Sequence, residues 1–226
     1  MKIHVLLFAS LAILGCATAP PAPASAPASA PASTAAASRD VLADLDHERV
    51  GYHVNRFSGE KRDEFATMLS RKSQYETMIR GKLRRRGMPE DLVYLPMIES
   101  GFNNEAHSAA DAIGIWQLVP DTARRYGLRV DDTVDERRDP EKATDAALSY
   151  LSYLYNRFGS WYLAAAAYNT GENRVGRIMT EATGSERGTD ADYYRFWDRW
   201  PGETRDFVPA MMAARKISSD PARHGF

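Results

Sequence analysis

The feature that most constrains this chain is an apolar stripe at helical spacing, in a sequence that nowhere alternates like a strand. Phe65, Met68, Leu69, Tyr75, Met78, Ile79 and Leu83 recur at threes, fours and their sums, which puts them on one face of a long helix that must be buried. Gly87 stops that helix, and Pro89-Glu90-Asp91 starts the next, with proline early and acids in the first turn. A third begins at Asp139-Pro140-Glu141, where Asp139 caps and Pro140 takes the first helical position. It carries Ala143, Ala147, Tyr150, Leu151, Leu154 and Phe158 along one side and ends at Gly159. Ser160 can cap a further helix through the alanine run to Tyr168, and short helices are expected over 172–180 and 203–217. Strand and hairpin signals are nearly absent, with no Asn-Gly or Asp-Gly between β-branched runs. The predicted fold class is all-α. The prolines at 96, 120 and 140 should break it into short helices packed at angles, not a long four-helix bundle.

The amino end has a different texture. Lys2 is followed by an almost wholly apolar run from Val5 to Leu14, too short to span a bilayer and suited to the apolar region of a secretory signal peptide. The single cysteine, Cys16, follows Ile13-Leu14-Gly15, a placement similar to a bacterial lipobox, in which that cysteine is lipidated and becomes the mature amino terminus. Ala17, where Asp would favour retention at the inner membrane, points to the outer one. With one cysteine, neither a disulfide framework nor a cysteine metal site is possible. From Ala17 to Ser38 the chain contains Ala, Pro, Ser and Thr alone. Such a segment has nothing to bury and favours polyproline II, reaching on the order of 60–70 Å if fully extended. The expected organisation is a signal over 1–15, a lipidated end and linker over 16–50, and a catalytic domain over 51–226.

The formal net charge of −1 argues against nucleic acid as the main partner. The local basic run Lys82-Leu83-Arg84-Arg85-Arg86 reads as a solvated helix end in favourable contact with the helix dipole.

Three stretches stand out from the amphipathic background. In Leu95-Pro96-Met97-Ile98-Glu99-Ser100 a carboxyl group directly follows a core-facing apolar run. Burial raises a carboxyl pKa, which suits a proton donor near neutral pH; an acid on an exposed last turn would give the same pattern, and the run alone leaves both open. In Ser108-Ala109-Ala110-Asp111-Ala112-Ile113-Gly114-Ile115-Trp116-Gln117, small residues and Gly114 let backbone approach a ligand, and Gln117 offers a donor and an acceptor. Trp116 is read as core before sugar platform, given the area it buries. In the third, Ala164-Ala165-Ala166-Ala167-Tyr168-Asn169-Thr170-Gly171, a closely packing run ends on a polar pair. Tyr168 could hold the acid by a hydrogen bond, and Asn169 could be a local cap.

Glu-Ser, Gly-Ile-Trp-Gln and Ala-Tyr-Asn-Thr-Gly, in this order, resemble the motifs of the lytic transglycosylases, a goose-type lysozyme-like superfamily, and are closest to its membrane-bound type D group. Pro201-Gly202-Glu203-Thr204-Arg205-Asp206-Phe207-Val208-Pro209 resembles a fourth motif. The resemblance covers roughly Tyr75 to Ile217. It implies a lysozyme-like helical domain with a groove that cleaves peptidoglycan glycan strands between N-acetylmuramic acid and N-acetylglucosamine, leaving 1,6-anhydro ends. Glu99 would act as the one acid and then base. Ser108 and Gln117 would line the pocket and bind the acetamido group, Tyr168 would contact Glu99, Asn169 would support the site, and Glu203 would lie near substrate. No metal or organic cofactor is implied, and the five scattered histidines have no ligand spacing.

Two features depart from the family pattern. Asp111 stands at a turn position where Gly or Asn is usual, and the sequence reaches Phe226 without the glycan-binding repeats of many type D relatives. Wall anchoring is therefore expected from the lipid and the groove, and the protein is expected to be a monomer facing the periplasm from the outer membrane. The competing expectations are a hydrolytic muramidase of the same fold, with Glu105, Asp111 or Glu172 as second acid, and a non-catalytic peptidoglycan-binding lipoprotein.

Overall fold

The computed structural model describes Leu42 and residues 47–226; the expected signal, Cys16 and most of the expected linker lie outside the described residues. Nine α-helices, joined by short 3-10 turns, make up the described part: α1 Glu48–Ser58, α2 Arg62–Arg85, α3 Leu95–Ser100, α4 Pro120–Arg125, α5 Pro140–Phe158, α6 Trp161–Thr170, α7 Glu172–Thr183, α8 Asp190–Arg195 and α9 Gly202–Ser219. Among the described residues there is no strand, only isolated antiparallel bridges such as His107 with Ile113 and Ile113 with Leu118. No described helix is long and apolar enough to cross a membrane.

Helix α6 is the hub. Ala164, Ala165, Ala166 and Ala167 are fully buried, and α5, α7, α8 and α9 all pack against this helix. Methyl side chains let neighbouring backbones approach closely, so a ten-residue helix reaches four partners. Around it, α1 lies along α9, and α2 runs beside α1 and α5. The predicted stripe of α2 is largely inward: Phe65, Ile79 and Leu83 are fully buried and Met68 nearly so.

Most expected boundaries coincide with observed ones. Asp139 accepts from the backbone N–H groups of Glu141 and Lys142, and Gly159 closes α5 in the left-handed conformation at φ 76°. Ser160 caps α6 through the N–H of Leu163. Pro140 opens α5 as expected, and Pro96 and Pro120 likewise sit in the first turns of α3 and α4, because the missing N–H has no intrahelical partner there. The segment after Pro89 is a 3-10 turn, Glu90–Tyr94, that leads into α3.

The proline inside a helix is Pro209, in α9. It has no N–H for the Arg205 carbonyl four residues back, and the Tyr193 hydroxyl of α8 fills that gap, 3.0 Å from the Arg205 oxygen and 2.5 Å from that of Thr204. Helices α1, α4 and α8 were not expected. α1 begins at Glu48 and buries Val50, His53 and Phe57; α8 carries a reciprocal Thr189–Asp192 capping box. Leu42 is also buried within the fold: its N–H donates to Asp91 at 3.0 Å and its carbonyl accepts from Arg215. The basic run closing α2 is partly tied to acids, with Lys82 and Arg86 on Asp145 and Arg84 on Glu90.

Candidate active site

Every residue of α3 is buried, Glu99 included at 6% exposure. The helix ends at Gly101, φ 59°, where an added Cβ would lie 2.9 Å from the Met68 side chain. Desolvation pushes the Glu99 carboxyl well above its ordinary range, and the nearby charge of Glu203 pushes it in the same direction. Among the described residues none donates a hydrogen bond to this carboxyl that would offset its burial. That state favours a protonated acid able to give up its proton to a bound acceptor.

The loop over 103–119 faces α3. Ser100 Oγ, next to the acid, donates to the Ile115 carbonyl at 2.9 Å and ties the two together. Ser108 Oγ accepts from the N–H groups of Ala110 and Ala112, so this residue builds the turn. Asp111 at φ 57° and Gln117 at φ 47° are left-handed, as is Gly114 at φ 80°. Asp tolerates that conformation, which accounts for its place in a turn where Gly or Asn is usual. A Cβ at Gly114 would meet the Arg137 carbonyl at 2.3 Å. Gln117 Nε2 donates to the Gly114 carbonyl at 2.9 Å, with Ala106 O at 3.3 Å; among the described residues its Oε1 accepts no hydrogen bond.

Arg137 fixes the loop from behind. It is 3% exposed, forks onto Asp135 at 2.8 and 2.9 Å, and donates to the carbonyls of Asp111 and Leu118. Sequence reasoning missed this residue, because a buried arginine serving backbone carbonyls has no local pattern.

From α6, Tyr168 and Asn169 face the same region. The expected hydrogen bond from Tyr168 to Glu99 is not formed; the hydroxyl donates to the Trp116 carbonyl at 2.7 Å. The reason is geometric, since the loop brings a fixed carbonyl to the hydroxyl. Tyr168 still feels the acid: burial first, then the Glu99 charge, hold its own pKa well above the usual range. Trp116 is fully buried with its indole N–H on Thr144 Oγ1 at 2.9 Å, a core residue as read. Asn169 Nδ2 donates to Glu203 Oε1 at 3.0 Å while its Oδ1 accepts from Thr204 Oγ1 at 2.8 Å. Asn169 is therefore a clamp on Glu203 and not a local cap. The Glu203 carboxyl is raised by burial and held back by that hydrogen bond.

The three candidate second acids are engaged elsewhere. Glu105 is exposed and pairs with Arg138, Asp111 pairs with His107, and Glu172 meets Arg125, Arg157 and Tyr153. None contributes to the Glu99 shift; Glu203 does. Among the described residues no cluster of three or more His, Cys, Asp or Glu is arranged to hold a metal ion.

Comparison with known proteins agrees with this arrangement. The family model for the transglycosylase SLT domain matches residues 76–189, from α2 through the end of the capping loop before α8. The membrane-bound lytic murein transglycosylase D of Escherichia coli is 41% identical over 157 residues, 69% of this chain and 34% of that protein. Membrane-bound lytic murein transglycosylases C are 33% identical in Haemophilus influenzae and 32% in Mannheimia succiniciproducens, each over 123 residues, 48% of this chain and 34% of theirs. This chain thus spans about a third of the length of these relatives. The matched segment contains Glu99, the loop with Gln117, and the Tyr168–Asn169 pair, so the chain belongs to the transglycosylase SLT domain family.

Proposed function

We propose that this chain is a peptidoglycan lytic transglycosylase that cleaves the β-1,4 bond between N-acetylmuramic acid and N-acetylglucosamine without consuming water. The observation that carries the reading is the buried Glu99 carboxyl, held toward its protonated form beside a loop with three left-handed residues and without a hydrogen-bond donor among the described residues. Glu99 gives its proton to the glycosidic oxygen as the bond to the muramic anomeric carbon breaks. That sugar's acetamido oxygen supports the cationic centre, in the manner of substrate-assisted glycosidases. The carboxylate then takes the proton from the 6-hydroxyl of the same sugar, whose oxygen closes onto the anomeric carbon. One bond breaks, one forms, and Glu99 returns protonated. Holding the 6-hydroxyl against the anomeric carbon gives the step a high effective molarity.

Gln117 Oε1 is the acceptor for the acetamido N–H, and Ser108 shapes the wall it faces. Tyr168 stands beside the acid, and Asn169 holds Glu203 against the groove. No cofactor enters the reaction. The membrane-bound relatives support an envelope location for this protein; lipidation at Cys16, outer-membrane anchoring and a monomeric state extend that reading. Incubation of cells with a fatty-acid analogue tests the lipid, which Cys16→Ser must abolish.

One observation favours a second reading. Glu203 is close enough for its charge to act on Glu99, and a second carboxylate that activates water would make the enzyme a hydrolytic muramidase. Mass spectrometry of digested sacculi separates the two. Anhydro-muropeptides support the transglycosylase, and reducing-end products overturn it. Glu99→Gln should lower clearance of sacculi by at least about a thousandfold, in line with loss of an essential acid; wild-type clearance by that variant would remove Glu99 from the mechanism.

A further inference from the structure

Away from Glu99, a hollow of about 540 Å³ lies between α7 and the turn that precedes α9, lined by Arg174, Arg177, Ile178, Glu181, Arg199, Trp200 and Pro201. Its volume is within the range of about 300–1,000 Å³ typical of ligand sites. Its composition is the informative part. The chain carries nearly equal numbers of acids and bases, and many of its arginines lie within ion-pair distance of an acid. Arg174, Arg177 and Arg199 line one concavity, and among the described residues no acid lies at that distance from them, Glu181 included. Beneath them Ile178 and Trp200, 7% and 2% exposed, form an apolar floor. The Trp200 indole N–H is already spent on the Tyr193 carbonyl at 2.7 Å, so that floor offers van der Waals surface and no donor.

A cationic rim over an apolar floor suits a short peptide that bears carboxylates. Guanidinium groups grip carboxylates in paired, charge-assisted hydrogen bonds, and the floor receives aliphatic side chains. The elements that line the hollow are continuous with those that carry the candidate active site. Pro201 stands two residues before Glu203, the first-turn acid of α9 that Asn169 holds, and α7 begins directly after the α6 end that carries Tyr168 and Asn169.

We propose that this hollow is a carboxylate-binding subsite for the peptide stems that branch from the muramic acid residues of the strand. The assignment rests on the peptidoglycan reading above and adds what that reading lacks, a reason to prefer stem-bearing strands. Arg174, Arg177 and Arg199 bind stem carboxylates, and Ile178 and Trp200 receive the intervening side chains. The glycan then lies in the groove with its stem turned toward α7.

The test uses the full chain and its Arg174→Gln/Arg177→Gln/Arg199→Gln variant, checked by circular dichroism for an unchanged melting curve. Cleavage is measured on soluble strands with stems and on the same strands stripped of stems by an amidase. In the wild-type chain kcat/KM should favour stem-bearing strands by about tenfold, and in the triple variant that ratio should fall toward one. A second arm titrates a free tetrapeptide stem and its fully amidated form into both proteins, with NMR shifts of the Ile178 methyls as readout. The acidic peptide should shift them in the wild-type chain only, and the amidated one in neither. An unchanged ratio in the variant, or equal peptide binding by both proteins, overturns the proposal. Arginine-dependent binding of phosphatidylglycerol vesicles without peptide binding also overturns it, in favour of a lipid contact. If neither strand is cut while the peptide still binds through the arginines, the enzymatic reading fails and the subsite stands.

Discussion

Glu99 shows how one residue can be costly to the fold and useful to the chemistry. Its pKa in the folded chain lies above the ordinary carboxyl value, so between those two values the folded state holds more protons than the unfolded one. Stability is therefore full below the ordinary range and falls as pH rises toward the folded value. Glu99→Gln removes that loss, and at neutral pH it should raise Tm by about 3 °C, equivalent to about 1 kcal/mol in a domain of this size, while abolishing activity. A calorimetric scan in which the variant melts below wild type would contradict the account. The same sign governs catalysis. A general acid works while protonated, so activity should fall as pH rises through the Glu99 pKa. Because the Glu203 charge helps to raise that pKa, Glu203→Gln should move the basic limb of the pH–rate profile to lower pH. An unmoved limb would mean the two carboxyls do not sense each other. The sequence set Glu99 directly after an apolar run and left its burial open, and the resemblance named its neighbours. It could not show that Tyr168 spends its hydrogen bond on Trp116, since that partner lies 52 residues away.

At the scale of elements, local chemistry was legible wherever it was self-contained. Asp139, Pro140 and Gly159 delimit α5 with no help from the rest of the chain, and the stripe of α2 has enough turns to be read. What escaped was short or cooperative. α1 carries His53 within its apolar stripe, and α4 and α8 have six residues each, fewer than two full turns. The loop over 103–119 depends on distant Arg137. Arg137→Ala should cost about 3 kcal/mol, because Asp135 loses its partner and the carbonyls of Asp111 and buried Leu118 lose a donor; hydrogen exchange should rise first at Ile113 and Leu118. Gly114→Ala, forced against the Arg137 carbonyl at a left-handed φ, should likewise lower Tm by several degrees and activity with it. In α9, Tyr193→Phe leaves the carbonyls around Pro209 without their hydroxyl donor and should cost about 1–2 kcal/mol by urea denaturation.

Over the whole molecule, the all-α architecture followed from patterning, whereas the way its ends are tied down did not. Leu42 falls in the stretch read as linker, yet it is buried and hydrogen-bonded to Asp91 and Arg215; Val41, Leu42 and Leu45 beside a low-complexity tract are too few to carry a periodicity that would reveal this. Leu42→Ala should cost about 2–3 kcal/mol, a cavity-forming loss, measurable as a lower urea midpoint with unchanged m. The expected tether would then meet the domain at this clip. The alanine run of α6 has a wider consequence. Four side chains of the plainest chemistry stand where four helices converge, with no exposed surface, so even one added methylene has to displace a neighbouring backbone. Natural variation should accordingly concentrate in the charged, versatile residues of the outer faces. These four methyls should be among the positions least open to drift, guarded for the room they leave empty.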